Sequence, residues 1–322
     1  MTSDESFTGR AGVVLGAMYF GTRVDEPTSF DLLDRFVDGG GVWIDTANCY
    51  SFWADPSGVG GQSEAVIGRW LAARPGVRDR VRISTKVRHQ PRVPHRWPES
   101  AEGLSAAAIR AGAEASLKRL GVDVVDLYWA HAEDRDVPLE ETVVAFGELA
   151  ARGTVRRLGA SNHATWRVER ARAIARERGV AGWTALQLRH SYVVPRPGAV
   201  LPDDGHMLAT PEALDYVASD PRFTIWAYTP LINGAYTRAD RPLPPAYDHA
   251  GTTRRLAVLA DVAGQLGVDA GQVVLAWLFG GTPPVRPIVG VSAPAHLAAA
   301  LAAADLELPA ELRARLDDPE LA

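Results

Sequence analysis

A closed parallel (β/α)8 barrel is the fold this sequence predicts, and three observations predict it. Eight short runs rich in apolar and β-branched residues alternate with amphipathic helical stretches along the chain. Links from helix to strand are tight, whereas several links from strand to helix are long. Finally, Asp45, Tyr50, Lys86 and His131, four residues able to move a proton together, each lie where a predicted strand hands over to a loop. Such a barrel gathers the carboxyl ends of its strands around one mouth, so residues distant in the chain meet there.

The strand candidates, in order, are 13–18, 42–46, 81–87, 124–130, 155–160, 184–188, 223–228 and 285–289. Between them lie helical patterns such as 104–120, where Ile109, Ala113, Ser116 and Leu120 recur at helical spacing, and 139–151, which ends before Gly153. Only parallel strands need a crossover each time, and eight such units suggest closure. A chain of 322 residues with 47% hydrophobic content can bury one large core. We expect a single domain with its core at about residues 12–305, a short polar segment at 1–11 and a helical tail at 306–322.

Loop lengths indicate the working end. Helix-to-strand links are as short as Leu120-Gly121-Val122-Asp123 and Ala151-Arg152-Gly153-Thr154. The long strand-to-helix links are 49–61, 88–103, 189–209 and 231–252. Long loops cost chain entropy and usually persist because they bind something.

Composition removes several function classes. The formal net charge is −5 and no run of Lys or Arg stands out, so the basic stripe of a nucleic-acid binder is missing. Cys49 is the only cysteine, which excludes an internal disulfide and suits a reducing compartment. The start MTSDESFTGR is acidic and polar where a secretory leader is basic and then apolar. No stretch approaches the roughly 18 unbroken apolar residues of a membrane span. A cytoplasmic protein with no membrane partner is expected; oligomeric state is left open.

The quartet has a chemical logic. A phenol titrates near pH 10, so Tyr50 exchanges a proton at neutral pH only with a positive charge beside it, and Lys86 would be that charge. Asp45, at the end of the adjacent strand, would keep a buried Lys86 charged. His131 can hydrogen-bond a carbonyl oxygen from the other side. Taken singly, Asp45 could terminate a strand and His131 could be a satisfied core histidine. Their joint placement carries the reading. The set lacks an electron source.

The segment Ile44-Asp45-Thr46-Ala47-Asn48-Cys49-Tyr50, followed by Gly61-Gln62-Ser63-Glu64, opens a series of motifs. Ser84-Thr85-Lys86, Asp126-Leu127-Tyr128-Trp129-Ala130-His131, Gly159-Ala160-Ser161-Asn162, Gln187 and Ala227-Tyr228-Thr229-Pro230-Leu231 follow in order. Over about residues 12–300 the chain resembles the aldo-keto reductases. The resemblance implies that Tyr50 protonates a small-molecule aldehyde or ketone, that Lys86 and Asp45 lower its pKa, and that His131 orients the substrate. It also implies a nicotinamide cofactor extended across the mouth without a Rossmann domain, and indeed no Gly-x-Gly-x-x-Gly follows any strand. On that likeness Tyr228 stacks on the nicotinamide, Ser161, Asn162 and Gln187 hydrogen-bond its carboxamide, and Thr229, Pro230 and Leu231 continue the cofactor loop. A plainer reading makes Ser161-Asn162 a helix N-cap before Ala164.

The chain departs from the family's pattern after the eighth strand. There the family usually carries an Arg for the 2′-phosphate of NADPH and a Glu-Asn pair for the adenine; here His296 and Ala299-Ala300 stand at those positions. No Lys or Arg occurs between Arg286 and Arg313. Ser292 remains as a weak phosphate ligand, and Arg238 or Arg241, in the loop after the seventh strand, could substitute from across the cofactor. The likeness therefore implies NADPH, and the departure admits NADH. For the substrate, Phe52 and Trp53, with Trp129 and Tyr192, suggest an aromatic pocket wall. Two rival readings are a catalytically idle nicotinamide-binding barrel acting as sensor or partner subunit, and a metal-dependent barrel hydrolase. No metal is expected, because His89, His163 and His190 follow separate strands without a His-x-His pair.

Overall fold

The computed structural model describes residues 9–199 and 205–318. Most of the polar start, the last four residues and five positions of the 189–209 loop lie outside that range, and with them most of the stretch on which the leader argument rests.

Eight parallel strands close into a barrel in sequence order, the last pairing with the first. They are β1 (Val14–Gly16), β2 (Trp43–Asp45), β3 (Arg82–Val87), β4 (Val125–Ala130), β5 (Val155–Ser161), β6 (Ala185–Arg189), β7 (Thr224–Tyr228) and β8 (Val285–Gly290). The expected strands are all present, shifted by a residue or two at their ends. Outside them run α1 (Glu26–Asp38), α2 (Gln62–Ala73), one short turn α3 (Val77–Arg80), α4 (Ala106–Leu120), α5 (Leu139–Ala151), α6 (Thr165–Arg178), α7 (Pro211–Ala218), α8 (Ala250–Leu266), α9 (Ala270–Phe279), α10 (Pro294–Ala303) and α11 (Ala310–Asp317).

Capping sets where helices begin. The Ser105 side chain accepts the Ala108 N–H, so α4 starts at Ala106 and not at Leu104 as the apolar pattern suggested. Asp269 and Gln272 form a reciprocal capping box on α9. Each helix buries one stripe against the barrel: α1 contributes Leu32, Leu33, Phe36 and Val37, and each such side chain stabilises the fold by about 1.5–3 kcal/mol. Among the described residues no single helix is long and apolar enough to cross a membrane.

Inside the barrel a second, smaller core of Val14, Trp43, Leu127, Trp129, Ala185, Trp226 and Ile288 fills the lumen. Trp43 and Trp129 meet the Trp226 ring edge-on, at 5.1 and 5.4 Å between centroids. Gly159 makes room for this layer, since a Cβ there would lie 2.3 Å from the Trp129 ring. Trp129 is therefore wholly buried below the mouth. The expectation that it walls the substrate pocket is corrected: strand alternation points Leu127, Trp129 and His131 inward, with the indole one layer beneath the imidazole. At the other end of the strands, buried Asp126 pairs with Arg78 at 2.8 Å and accepts the Ile83 N–H, a contact that ties strands together at the closed end.

Candidate active site

Three strands, β2, β3 and β4, deliver the quartet. Asp45 ends β2, Tyr50 follows five residues later, Lys86 lies one residue before the end of β3 and His131 follows β4 directly. Lys86 is fully buried and has three N–H donors, and three acceptors meet it: Asp45 Oδ2 at 2.5 Å, the Thr46 carbonyl at 2.8 Å and the Tyr50 hydroxyl oxygen at 2.8 Å. The ammonium has no donor left. Because the Tyr50 oxygen accepts from Lys86, its own proton points elsewhere, and the ring of His131 stands at 5.8 Å from the ring of Tyr50. Asp45 is oriented in turn by Ser84 Oγ, which donates to Oδ1 at 2.6 Å, and by Gln187 Nε2 at 3.5 Å.

Electrostatics corrects one expectation. Burial, and after it the Asp45 carboxylate, pushes the Tyr50 phenol well above its ordinary value. Burial pulls Lys86 down while Asp45 opposes that pull. Burial and Asp45 outweigh the Lys86 contact, so Tyr50 rests protonated with its oxygen held by the ammonium. His131 is pushed well below its ordinary value by burial, then by His89 and Lys86, and is a neutral imidazole. Its Nδ1 contacts the Cys49 sulfur at 3.6 Å, where burial keeps the thiol protonated.

The mouth also holds the polar residues after β5, β6 and β7. Asn162 donates to the His131 carbonyl at 3.2 Å and to Ser161 Oγ at 3.3 Å, and its Oδ1 accepts the Tyr228 hydroxyl at 2.7 Å and the Met207 N–H at 3.0 Å. Ser161 and Asn162 do not cap α6: its N-cap is Ala164, whose N–H is taken by Glu133. Asn162 is committed to holding Tyr228 and the neighbouring loops together. Pro230 accepts from Ser191 at 2.6 Å, and Thr229, Ile232 and Asn233 have φ of 56°, 45° and 57°. All seven non-glycine residues with left-handed φ among the described residues, Ser51, Arg88, His95, Asn162, Thr229, Ile232 and Asn233, lie in loops that follow strands. Strain collects at the open end, as it does at functional sites.

Aromatic side chains extend outward from His131. Its ring meets His89 at 4.8 Å, His89 meets Trp97 at 6.0 Å, Trp97 meets Phe52 at 5.7 Å, and Phe52 meets Trp53 at 4.9 Å. Phe52 and Trp53 thus stand in a cluster at the rim, with Trp53 45% exposed. Tyr192 does not join them. It is buried against Trp277 of α9 and beneath Arg255 of α8, on the outer side of the barrel, so its assignment to the pocket wall is corrected. Sequence reasoning missed Trp97, which links His89 to Phe52; an aromatic in a long loop after Lys86 was the available signal. Gly60 also went unnoticed: a Cβ there would lie 2.4 Å from the Cys49 carbonyl carbon, so only glycine lets this turn press on the chain that carries Tyr50.

The adenosine side is different. Ser292 and His296 are exposed, and the N-cap of α10, Ala293, makes no side-chain cap bond. Arg238 is held by Asp240 at 2.6 Å, with Arg241 3.9 Å from the same carboxylate, so neither arginine is a free phosphate clamp.

Among the described residues no group of three His, Cys, Asp or Glu side chains is arranged to hold a metal ion. His163 and His190 are buried apart, each pulled down to about 4 by burial.

The model of the aldo/keto reductase family matches residues 12–319. The chain belongs to the aldo/keto reductase family. This aldo/keto reductase is 30% identical to an uncharacterized oxidoreductase, YrpG, of Bacillus subtilis, over 97% of this chain and 94% of the relative. It is 29% identical to norsolorinic acid reductase stcV of Emericella nidulans, over 94% and 76% respectively. Against human aflatoxin B1 aldehyde reductase member 4 the identity is 39%, over 49% of this reductase and 43% of the relative. Family and relatives together make it an oxidoreductase.

Proposed function

We propose that this protein reduces an aldehyde or ketone to the alcohol, with Tyr50 delivering the proton to the carbonyl oxygen. The observation that carries the reading is the saturated Lys86 ammonium, which takes a lone pair of the Tyr50 oxygen and leaves the phenolic proton free to leave. Neutral His131 orients the carbonyl oxygen and excludes a competing acid. Stripped of its proton, the Tyr50 oxygen would stay bonded to Lys86, and that contact stabilises the phenolate.

The residues present fit a nicotinamide. Tyr228 is half-buried at the end of β7 with its hydroxyl tied to Asn162, and the Ser161 hydroxyl accepts from Asn162 while its own proton has no acceptor among the described residues. Ser161, Gln187 and Tyr228 would hold the nicotinamide end, and the backbone of Thr229, Pro230 and Leu231 the next portion. When bound, the reduced cofactor supplies the hydride. At the far end Ser292 and His296 would meet the adenosine. With no free guanidinium there, NADPH gains less than the family's habit implies, and we place its advantage over NADH at under a hundredfold.

The test is turnover of a carbonyl panel with each reduced cofactor, followed at the nicotinamide absorbance, in wild type and Tyr50→Phe. The variant should lose about 10²–10⁴-fold in kcat while binding cofactor as before. Retention of most activity would remove Tyr50 as the acid, and no turnover of any carbonyl by wild type would favour the idle barrel.

A further inference from the structure

Arg88 immediately follows β3, two residues after Lys86, and the site described above does not use it. Its backbone sits at φ 134°, where side-chain-bearing residues are rarely found, and is fixed there by Glu102, which accepts the Arg88 N–H at 2.8 Å. Among the described residues no carboxylate lies within 4.0 Å of the guanidinium, and its Nε is buried without a partner. Asp134, Asp136 and Glu133 act on it only from beyond that distance, and two of the three are committed elsewhere. Asp134 accepts the N–H groups of Leu104 and Asp136, and Glu133 accepts from Ala164 and pairs with Arg135. A half-buried guanidinium with no carboxylate in contact is costly, and burial pulls its pKa below the ordinary value although Asp134, Asp136 and Glu133 oppose that pull.

The one side-chain partner of Arg88 is informative. Its Nη1 lies 3.2 Å from His89 Nδ1. Arginine can only donate, so Nδ1 accepts and the His89 proton resides on Nε2. Burial pulls His89 to about 3, which keeps the ring neutral. Among the described residues Nε2–H has no acceptor, and the ring stands at 4.8 Å from His131 and 6.0 Å from Trp97. A cation with no carboxylate in contact thus stands beside an oriented N–H donor whose ring lies between His131 and Trp97.

We propose that Arg88, together with the His89 it orients, receives an anionic oxygen carried by an aromatic carbonyl substrate, so that the preferred substrates are aryl aldehydes or ketones bearing a carboxylate or phenolate. This rests on the reductase reading above. The ring of such a substrate would lie along Phe52 and Trp97 with its carbonyl at Tyr50 and His131, and its charge would supply the counter-ion that Arg88 lacks. Arg88 and His89 are specificity residues, outside the proton transfer itself.

The experiment compares kcat/KM for the three carboxybenzaldehydes and the three hydroxybenzaldehydes with that for the matched nitrobenzaldehydes, in wild type and Arg88→Gln. A nitro group has the shape of a carboxylate without its charge, and taking the ratio between enzymes cancels intrinsic reactivity. For at least one positional isomer, Arg88→Gln should lower the anionic-to-nitro ratio at least tenfold and change kcat/KM for the nitro compound less than threefold. The carboxy and hydroxy series separate the two sources of anion. Arg88→Lys, which keeps charge without the fork, and competitive inhibition of wild type by benzoate serve if Arg88→Gln does not fold. A ratio unchanged within threefold for every isomer, or equal losses on charged and neutral aldehydes, would overturn the Arg88 assignment and leave the reductase standing. No turnover of any aldehyde would remove both.

Discussion

The two ends of the mouth are built to different standards. Around Lys86 each of its three donors has an acceptor, Asp45 is itself held by Ser84 and Gln187, and Asp45 and Lys86 come from strands whose register leaves them little freedom. After β8, by contrast, Ser292 and His296 are exposed at the start of an uncapped helix, and the arginines opposite are tied to Asp240. The contrast teaches where substitution is tolerated. Proton transfer needs atoms placed within tenths of an ångström, whereas a cofactor tail needs only sufficient binding free energy, which many arrangements supply.

Breaking the Lys86 side of the mouth should give the largest effects. Lys86→Met removes the cation from Asp45 and Tyr50 together; we expect kcat to fall about 10²–10⁴-fold and stability by about 3–5 kcal/mol, because a buried carboxylate is left unpaired. The double variant Lys86→Met/Asp45→Asn should recover most of the stability in urea unfolding and none of the activity. Recovery of both would mean that Lys86 only supports the fold.

The two directions of reaction should separate with pH. Because burial holds the Tyr50 proton on well above the ordinary phenol range, carbonyl reduction should stay flat between about pH 6 and 9, while alcohol oxidation, which needs the phenolate, should rise roughly tenfold per pH unit. A reduction rate that falls near pH 8 would place the phenol pKa in the neutral range and count against this picture.

The side of the mouth after β8 should respond least. Restoring a cation there with His296→Arg is expected to tighten NADPH about three- to tenfold in fluorescence titration and leave NADH unchanged, a modest gain because the position is exposed. Equal tightening of both cofactors would show that the gain does not come from the 2′-phosphate.

Much of this was legible in the chain before folding. Eight apolar runs at strand spacing, short helix-to-strand links and Asp45, Tyr50, Lys86 and His131 at strand ends are local features, and alternation and turn chemistry translate them into a barrel directly. The same local view misplaced Trp129 and Tyr192. An aromatic near a functional residue in sequence reads as pocket wall, and only the closed barrel shows that Trp129 fills the lumen against Gly159 and that Tyr192 packs beneath α8 and α9.

Sequence by itself determined the kind of fold and which tyrosine and lysine would sit at the barrel mouth, because strand periodicity and side-chain chemistry are properties of neighbouring residues. Tertiary structure alone decided the protonation of Tyr50 and His131, the commitment of Asn162 to Tyr228 and the placing of Arg88 against His89 with no carboxylate in contact. Those depend on desolvation and on which charges lie within a few ångströms, and both are set only when segments far apart in the chain close around one mouth.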